Sequence, residues 1–131
     1  MTNIDTVIIM GFDFGTTKIG VAVGQSVTRT ATALTTVKAR QGKPDWPVID
    51  QLVAEWKPAL FVVGLPLNMD DSESEMSAAA EKFARRLNGR YQLETIMVDE
   101  RLSTFEARGN STGDIDAEAA RVILESYLRQ P

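Results

Sequence analysis

The carboxylate of Asp13 stands in one of the most apolar stretches of the chain, Val7-Ile8-Ile9-Met10-Gly11-Phe12-Asp13-Phe14-Gly15-Thr16-Thr17-Lys18-Ile19-Gly20-Val21-Ala22-Val23-Gly24. A lone buried charge is costly unless a cation or hydrogen bonds compensate it. Gly15 and two threonines follow, then a second strand-like run. The pattern reads as a hairpin with an acid at its bend, aimed at something outside the protein. Other acids stand where elements end or begin: Asp99 and Glu100 after an apolar run, and Asp116 ahead of the last helix. The chain has no histidine and no cysteine. Ser-His-Asp catalysis, histidine bases, thiolate nucleophiles and zinc held by His or Cys are therefore excluded. Chemistry must come from carboxylates, Lys, Arg, hydroxyls, backbone groups or a metal held by oxygen. Oxygen-only ligands favour a hard cation such as magnesium or manganese.

Each acid also has a plain structural reading. Asp13 could bond its own turn backbone. Asp99 could anchor the turn that follows it. Glu100 could pair with Arg101 or Arg86, a contact worth little at a surface. Asp116 before Ala-Glu-Ala-Ala has the pattern of an N-cap. Taken together, carboxylates at converging element ends favour a divalent metal site.

The elements that must position these acids follow from periodicity and punctuation. Residues 7–14, 18–26 and 31–38 read as three strands, with Gly15-Thr16-Thr17 as a turn and residues 40–44 as a loop. Asp45 reads as an N-cap, and Ile49, Leu52, Val53 and Trp56 give the helix up to Trp56 one apolar face. Residues 60–63 form a fourth strand closed by Gly64-Leu65-Pro66. Ser72 and Glu75 suggest a capping box for a helix whose stripe is Met76, Ala80, Phe83, Ala84 and Leu87, stopped by Asn88-Gly89. Residues 91–98 form a fifth strand. Ser103 and Glu106 suggest a short helix, and a last helix begins near Asp116. The expected fold is α/β: a five-stranded mixed sheet, an antiparallel meander followed by two parallel strands, with helices on both faces. In such sheets, sites form outside the carboxyl ends of the strands.

The 131 residues are expected to form one domain. No apolar run has the length of a membrane span, and Met1 to Thr6 lack a basic signal-peptide start, so a cytoplasmic location is expected. The net charge of −4 does not fit bulk-electrostatic binding of nucleic acid. A bound divalent ion and a local basic face could serve instead.

Five segments carry a family likeness: residues 12–22 from Phe12 to Ala22, Val63-Gly64-Leu65-Pro66-Leu67-Asn68, Asp99-Glu100-Arg101-Leu102-Ser103-Thr104, Glu106-Ala107, and Asp116 ahead of Ile123-Leu124-Glu125-Ser126-Tyr127. In that order they resemble the YqgF/RuvX family of RNase H-like proteins. Its members are described as candidate Holliday-junction resolvases and as the candidate nuclease maturing pre-16S ribosomal RNA. The Asp-Glu-Arg-Leu-Ser-Thr and Gly-Leu-Pro-Leu-Asn blocks are specific; the Asp-Phe-Gly-Thr-Thr block alone is not. The resemblance implies an RNase H-like fold, a bacterial cytoplasmic origin and metal-dependent phosphodiester cleavage. It places the acidic triad on Asp13, Glu100 and Asp116, holding two magnesium or manganese ions about 4 Å apart. Candidate substrate-binding groups are Gly15, Thr16, Thr17, Lys18 and Arg101, with the Gly15–Thr17 amides as an anion nest. Arg101 could equally pair with Asp99 or Glu106. Arg85, Arg86 and Arg90 could form a phosphate-tracking face or simply a solvated helix face.

One departure stands out. Only Gly109 to Ile115 separate Glu106-Ala107-Arg108 from Asp116, where family members usually carry a longer segment with Gly and Lys. That segment would lie beside the metal site the resemblance implies. Two other function classes share parts of the pattern. Nucleotide-binding proteins of the actin and sugar-kinase type also have an Asp-x-Gly-Thr-Thr turn, but they need a second lobe and a second Asp-x-Gly turn. A non-catalytic module binding nucleic acid is the other, since fold alone does not establish function. The expected partner is nucleic acid, either structured RNA or branched DNA, with the protein a monomer or a homodimer.

Overall fold

A computed structural model describes residues 7–65, 75–99 and 115–130. The strands are β1 (Ile8–Asp13), β2 (Lys18–Gln25), β3 (Thr30–Arg40), β4 (Lys43–Pro44), β5 (Leu60–Leu65) and β6 (Glu94–Asp99). The helices are α1 (Trp46–Trp56), α2 (Glu75–Tyr91) and α3 (Ile115–Leu128). They build one mixed sheet in the order β4-β3-β2-β1-β5-β6. β1, β2 and β3 form the antiparallel meander, and β5 and β6 run parallel to β1.

Strand alternation separates two cores. Met10 and Phe12 of β1, Ile19, Val21 and Val23 of β2, and Phe61 and Val63 of β5 pack with Ile49 of α1 and Ala80, Phe83, Ala84 and Leu87 of α2. Phe83 is the hub: its ring meets Phe12 edge-on at 5.3 Å, Phe14 at 5.1 Å and Trp46 at 5.8 Å. The opposite face, with Ile9, Ala22, Val62 and Val98, is covered by Ala120, Ile123, Leu124 and Leu128 of α3. Helices on both faces, the α/β class and the buried stripe from Ala80 to Leu87 agree with the sequence.

Several boundaries differ from the sequence reading. The sheet has six strands rather than five, because Lys43–Pro44, expected in a loop, pairs with Ala39 and Arg40. The strand is only two residues long and includes a proline, which cannot donate to a ladder, so periodicity gives no signal there. Asp45 occupies the N-cap of α1 without a side-chain cap bond; its carbonyl instead accepts from the Val48 and Ile49 amides. α1 ends at Trp56, as the sequence reading has it, with Lys57 as a C-cap in left-handed geometry at φ 48°. α2 passes through Asn88-Gly89 and ends at Tyr91, where Gln92 turns with φ 57° and donates to the Asn88 carbonyl at 2.8 Å. Tyr91, expected in a strand, is therefore the last residue of a helix. The predicted capping residue Ser72 and the short helix from Ser103 lie outside the described residues.

Candidate functional site

Asp13 is the last residue of β1, half-buried, at the carboxyl end of the sheet. Alternation puts its side chain on the face of Ile9, which is the face α3 covers. Its cross-strand partner on β2 is Gly20. Gly20 has no side chain because there is no room for one: a Cβ there would collide with the Asp116 carbonyl oxygen and lie 2.9 Å from the Ala117 nitrogen. The first turn of α3 thus rests directly on the strand position beside Asp13. Two of the three predicted acids, Asp13 and Asp116, are brought to one end and one face of the sheet.

Asp116 is half-buried in the first turn of α3, together with Glu118. Acids are favoured there by the exposed N–H groups of the helix start. The helix begins at Ile115, so Asp116 sits inside the first turn rather than ahead of it as a cap.

Glu100 and Arg101 lie outside the described residues. The strand that leads to them is described. β6 ends at Asp99, opposite Leu65 at the end of β5, and both run parallel to β1. The chain therefore leaves β6 at the same end of the sheet as Asp13, two strands away, or about 10 Å at ordinary strand spacing. No group of three or more carboxylates that could hold a metal occurs among the described residues.

The Gly15–Lys18 turn is fixed from two sides. A Cβ on Gly15 would lie 2.6 Å from the Lys18 carbonyl oxygen, so the tight bend requires glycine. The Thr16 carbonyl accepts from the Gly42 amide and the Thr17 carbonyl from the Ala39 amide, each at 2.9 Å. Thr16, Thr17 and Lys18 are exposed. Lys18 opens β2 on the same face as Gly20 and is paired in register with Lys38.

The three arginines expected to share one face of α2 do not. Arg90 is bound to Asp50 of α1 through two hydrogen bonds of 2.9 and 2.7 Å and lies over the Trp46 ring. The Tyr91 hydroxyl donates to the same carboxylate at 2.6 Å. The hydrogen bonds from Arg90 and Tyr91 hold the Asp50 carboxyl down at about 2. Burial, and next the bond to Asp50, raise the Tyr91 phenol above its ordinary range. Arg85 faces a groove with Glu81, Asn88, Thr95 and Met97. Arg86 faces the other way, into a hollow with Gln41, Gly42, Lys43, Ala79, Lys82 and Phe83. Lys43 and Lys82 were missed from the sequence. The i, i+4 spacing of Lys82 and Arg86 was the available signal.

Along α3, Arg121 pairs with Glu118 and Glu125, and the bond to Glu118, with both charges, raises the guanidinium pKa. Glu125 also accepts the Ala31 amide of β3 at 3.1 Å. The Glu125–Ala31 bond ties α3 to the meander, while the Arg121 pairs lie within α3. No helix among the described residues is long and apolar enough to cross a membrane.

Comparison with known proteins agrees with this architecture. A protein of Pseudomonas putida named "Putative pre-16S rRNA nuclease" is 53% identical, over 95% of this chain and 96% of its own length. A protein of the same name from Sodalis glossinidius is 52% identical, over 93% of this chain and 94% of its own. Among solved structures, RuvC of T. thermophilus in complex with a Holliday junction substrate matches 93% of each chain with a TM-score of 0.57 at 13% identity. A Fowlpox virus resolvase complexed with Holliday junction DNA matches 92% of this chain and 96% of its own with a TM-score of 0.55 at 13% identity. At such identities the likeness shows a shared fold, here that of RuvC-like resolvases, in keeping with the RNase H-like fold expected from the sequence. The sequence model of the family described as RuvX, Holliday junction resolvase, matches residues 7–130, and the chain belongs to that family.

Proposed function

We propose that this chain is a single-domain, metal-dependent endonuclease of the cytoplasm that processes the 5′ end of pre-16S ribosomal RNA. The observation that carries this reading is the seating of the Asp116 backbone on Gly20, the strand partner of Asp13. It joins two acids that are 103 positions apart in sequence at the carboxyl edge of the sheet. The substrate follows from the relatives named as pre-16S rRNA nucleases.

The donor set fits a hard divalent cation. The chain offers no nitrogen or sulfur ligand from His or Cys, and two half-buried acidic residues lie at one end and on one face of the sheet. Asp13 and Asp116, with Glu100 from the end of β6, would hold magnesium or manganese. When bound, such ions lower the pKa of an attacking water and stabilise the leaving oxygen of an in-line displacement. The protein's own share is positional. The sheet fixes Asp13, and the packing of α3 on Gly20 fixes Asp116. Lys18, on the same face, supplies a positive charge for the phosphate oxygens, as would Arg101. The Gly15–Thr17 amides would help to orient the phosphate. The fit of ions and acids is tested by cleavage of structured RNA with manganese, comparing the native protein with Asp13→Asn.

The family match favours a second reading, cleavage of branched DNA as a junction resolvase. Two symmetric incisions need two sites related by a dimer axis. A protein monomeric in solution under cleavage conditions would count against that reading. A stable dimer that cuts junctions faster than RNA would favour it over rRNA processing.

A further inference from the structure

We propose that the hollow between the β3–β4 hairpin and α2 is a phosphate-binding subsite that grips the substrate strand away from the scissile bond. This inference rests on the nuclease reading for the identity of the strand. The hollow has a volume of about 170 Å³ and is lined by Lys43, Lys82 and Arg86 over a floor containing Phe83 and Ala79. All three cations are exposed, and among the described residues no carboxylate lines the hollow. Concentrating three positive charges in a protein of net charge −4 costs repulsion that an anionic ligand would relieve.

Its placement joins it to the acidic site. The hairpin that carries Gly42 and Lys43 is hydrogen-bonded to the Thr16 and Thr17 carbonyls. Those threonines follow Asp13 by one short turn. Lys18 and Lys38, paired across β2 and β3, lie between the two regions. The acids lie on the α3 face of the sheet and the hollow on the α2 face, at the same end. A strand cleaved at Asp13 would cross the exposed Thr16–Lys18 turn and set later phosphates against Lys43, Lys82 and Arg86. Charge contacts of this kind position a nucleic acid without reading its bases.

The test measures binding of a fluorescent single-stranded RNA to the Asp13→Asn protein across a range of salt. Two variants are added to that background: Lys43→Gln/Lys82→Gln/Arg86→Gln, and a control, Arg85→Gln, on the other side of α2. Thermal melting confirms that each is folded. Each phosphate contact contributes about 0.7 to the slope of log affinity against log salt for a single strand, so the triple variant should lose about two units of slope. Arg85→Gln should leave the slope near that of the parent. An unchanged slope in the triple variant, or an equal loss in Arg85→Gln, would overturn the subsite. The nuclease reading fails separately: if the native protein binds RNA through the hollow but does not cut it with manganese, the subsite stands without the activity.

Discussion

The carbonyl oxygen of Asp116 occupies the space where Gly20 would carry a side chain, and Gly20 is the residue opposite Asp13. The acid near the N-terminus of the chain and the acid near its C-terminus are thereby held by backbone packing rather than by flexible side chains. Placing a catalytic group by rigid elements is what keeps it within reach of a reacting atom.

Gly20→Ala should therefore damage the site out of proportion to its size. The new methyl would meet backbone, which cannot rotate away, so the start of α3 must lift from β2. Overpacking of this kind costs about 1–3 kcal/mol, and a displacement near 1 Å can cost about 100-fold in rate. Gly89→Ala is the matched control: it lies in α2 with nothing within 4 Å of an added Cβ. It should be neutral or stabilising by up to about 1 kcal/mol. Chemical denaturation and single-turnover cleavage of the two variants check this.

Phe83→Ala should be among the most destabilising single changes. The ring joins α2 to β1 and to Trp46, and the side chain is buried. Truncating a buried Phe costs about 3–5 kcal/mol. Urea denaturation should show a lower midpoint with an unchanged slope.

The tie between Asp50 of α1 and Arg90 and Tyr91 of α2 should make stability depend on acid pH. The Asp50 carboxyl falls from an ordinary 3.8 to about 2 in the folded protein. A depressed folded value contributes stability that is full above the unfolded pKa and is lost as pH falls toward the folded one. Asp50→Asn should thus melt below the native protein at pH 6. The gap should narrow as pH drops from about 4 toward about 2. A gap that is constant across that window would show that the charge is not what matters.

Much of this was legible in the sequence, for identifiable reasons. The apolar runs at residues 7–14 and 18–26, joined by the Gly15-Thr16-Thr17 turn, gave the first hairpin, and the stripe from Ala80 to Leu87 gave the buried face of α2. The place of Asp13 at the end of β1 was legible because an acid that closes an apolar run marks where the strand stops. The sequence did not reveal β4, since a two-residue strand has no period and Pro44 argues against a ladder. Nor did it show that Gly89 lies inside a helix, because glycine stops a helix only where the chain must turn left-handed, and Gln92 takes that turn instead. The split of Arg85, Arg86 and Arg90 depended on tertiary partners: Asp50 and Trp46 capture Arg90 from across the α1–α2 interface. The seating of Asp116 on Gly20 joins residues far apart in the chain, and local patterns carry no record of it.

The most direct test is cleavage of a structured RNA spanning the 5′ end of 16S rRNA, with manganese or with a chelator. The substrates are incubated with the native protein and with Asp13→Asn, which keeps the shape of the side chain and removes its charge. The native protein should cut at a defined position with manganese and stop with chelator. Asp13→Asn should lose at least about 100-fold in single-turnover rate, since removing one group that acts on transition-state charge costs on that order. Equal cleavage by the two proteins, or cleavage that persists in chelator, would contradict a metal-dependent site built on Asp13.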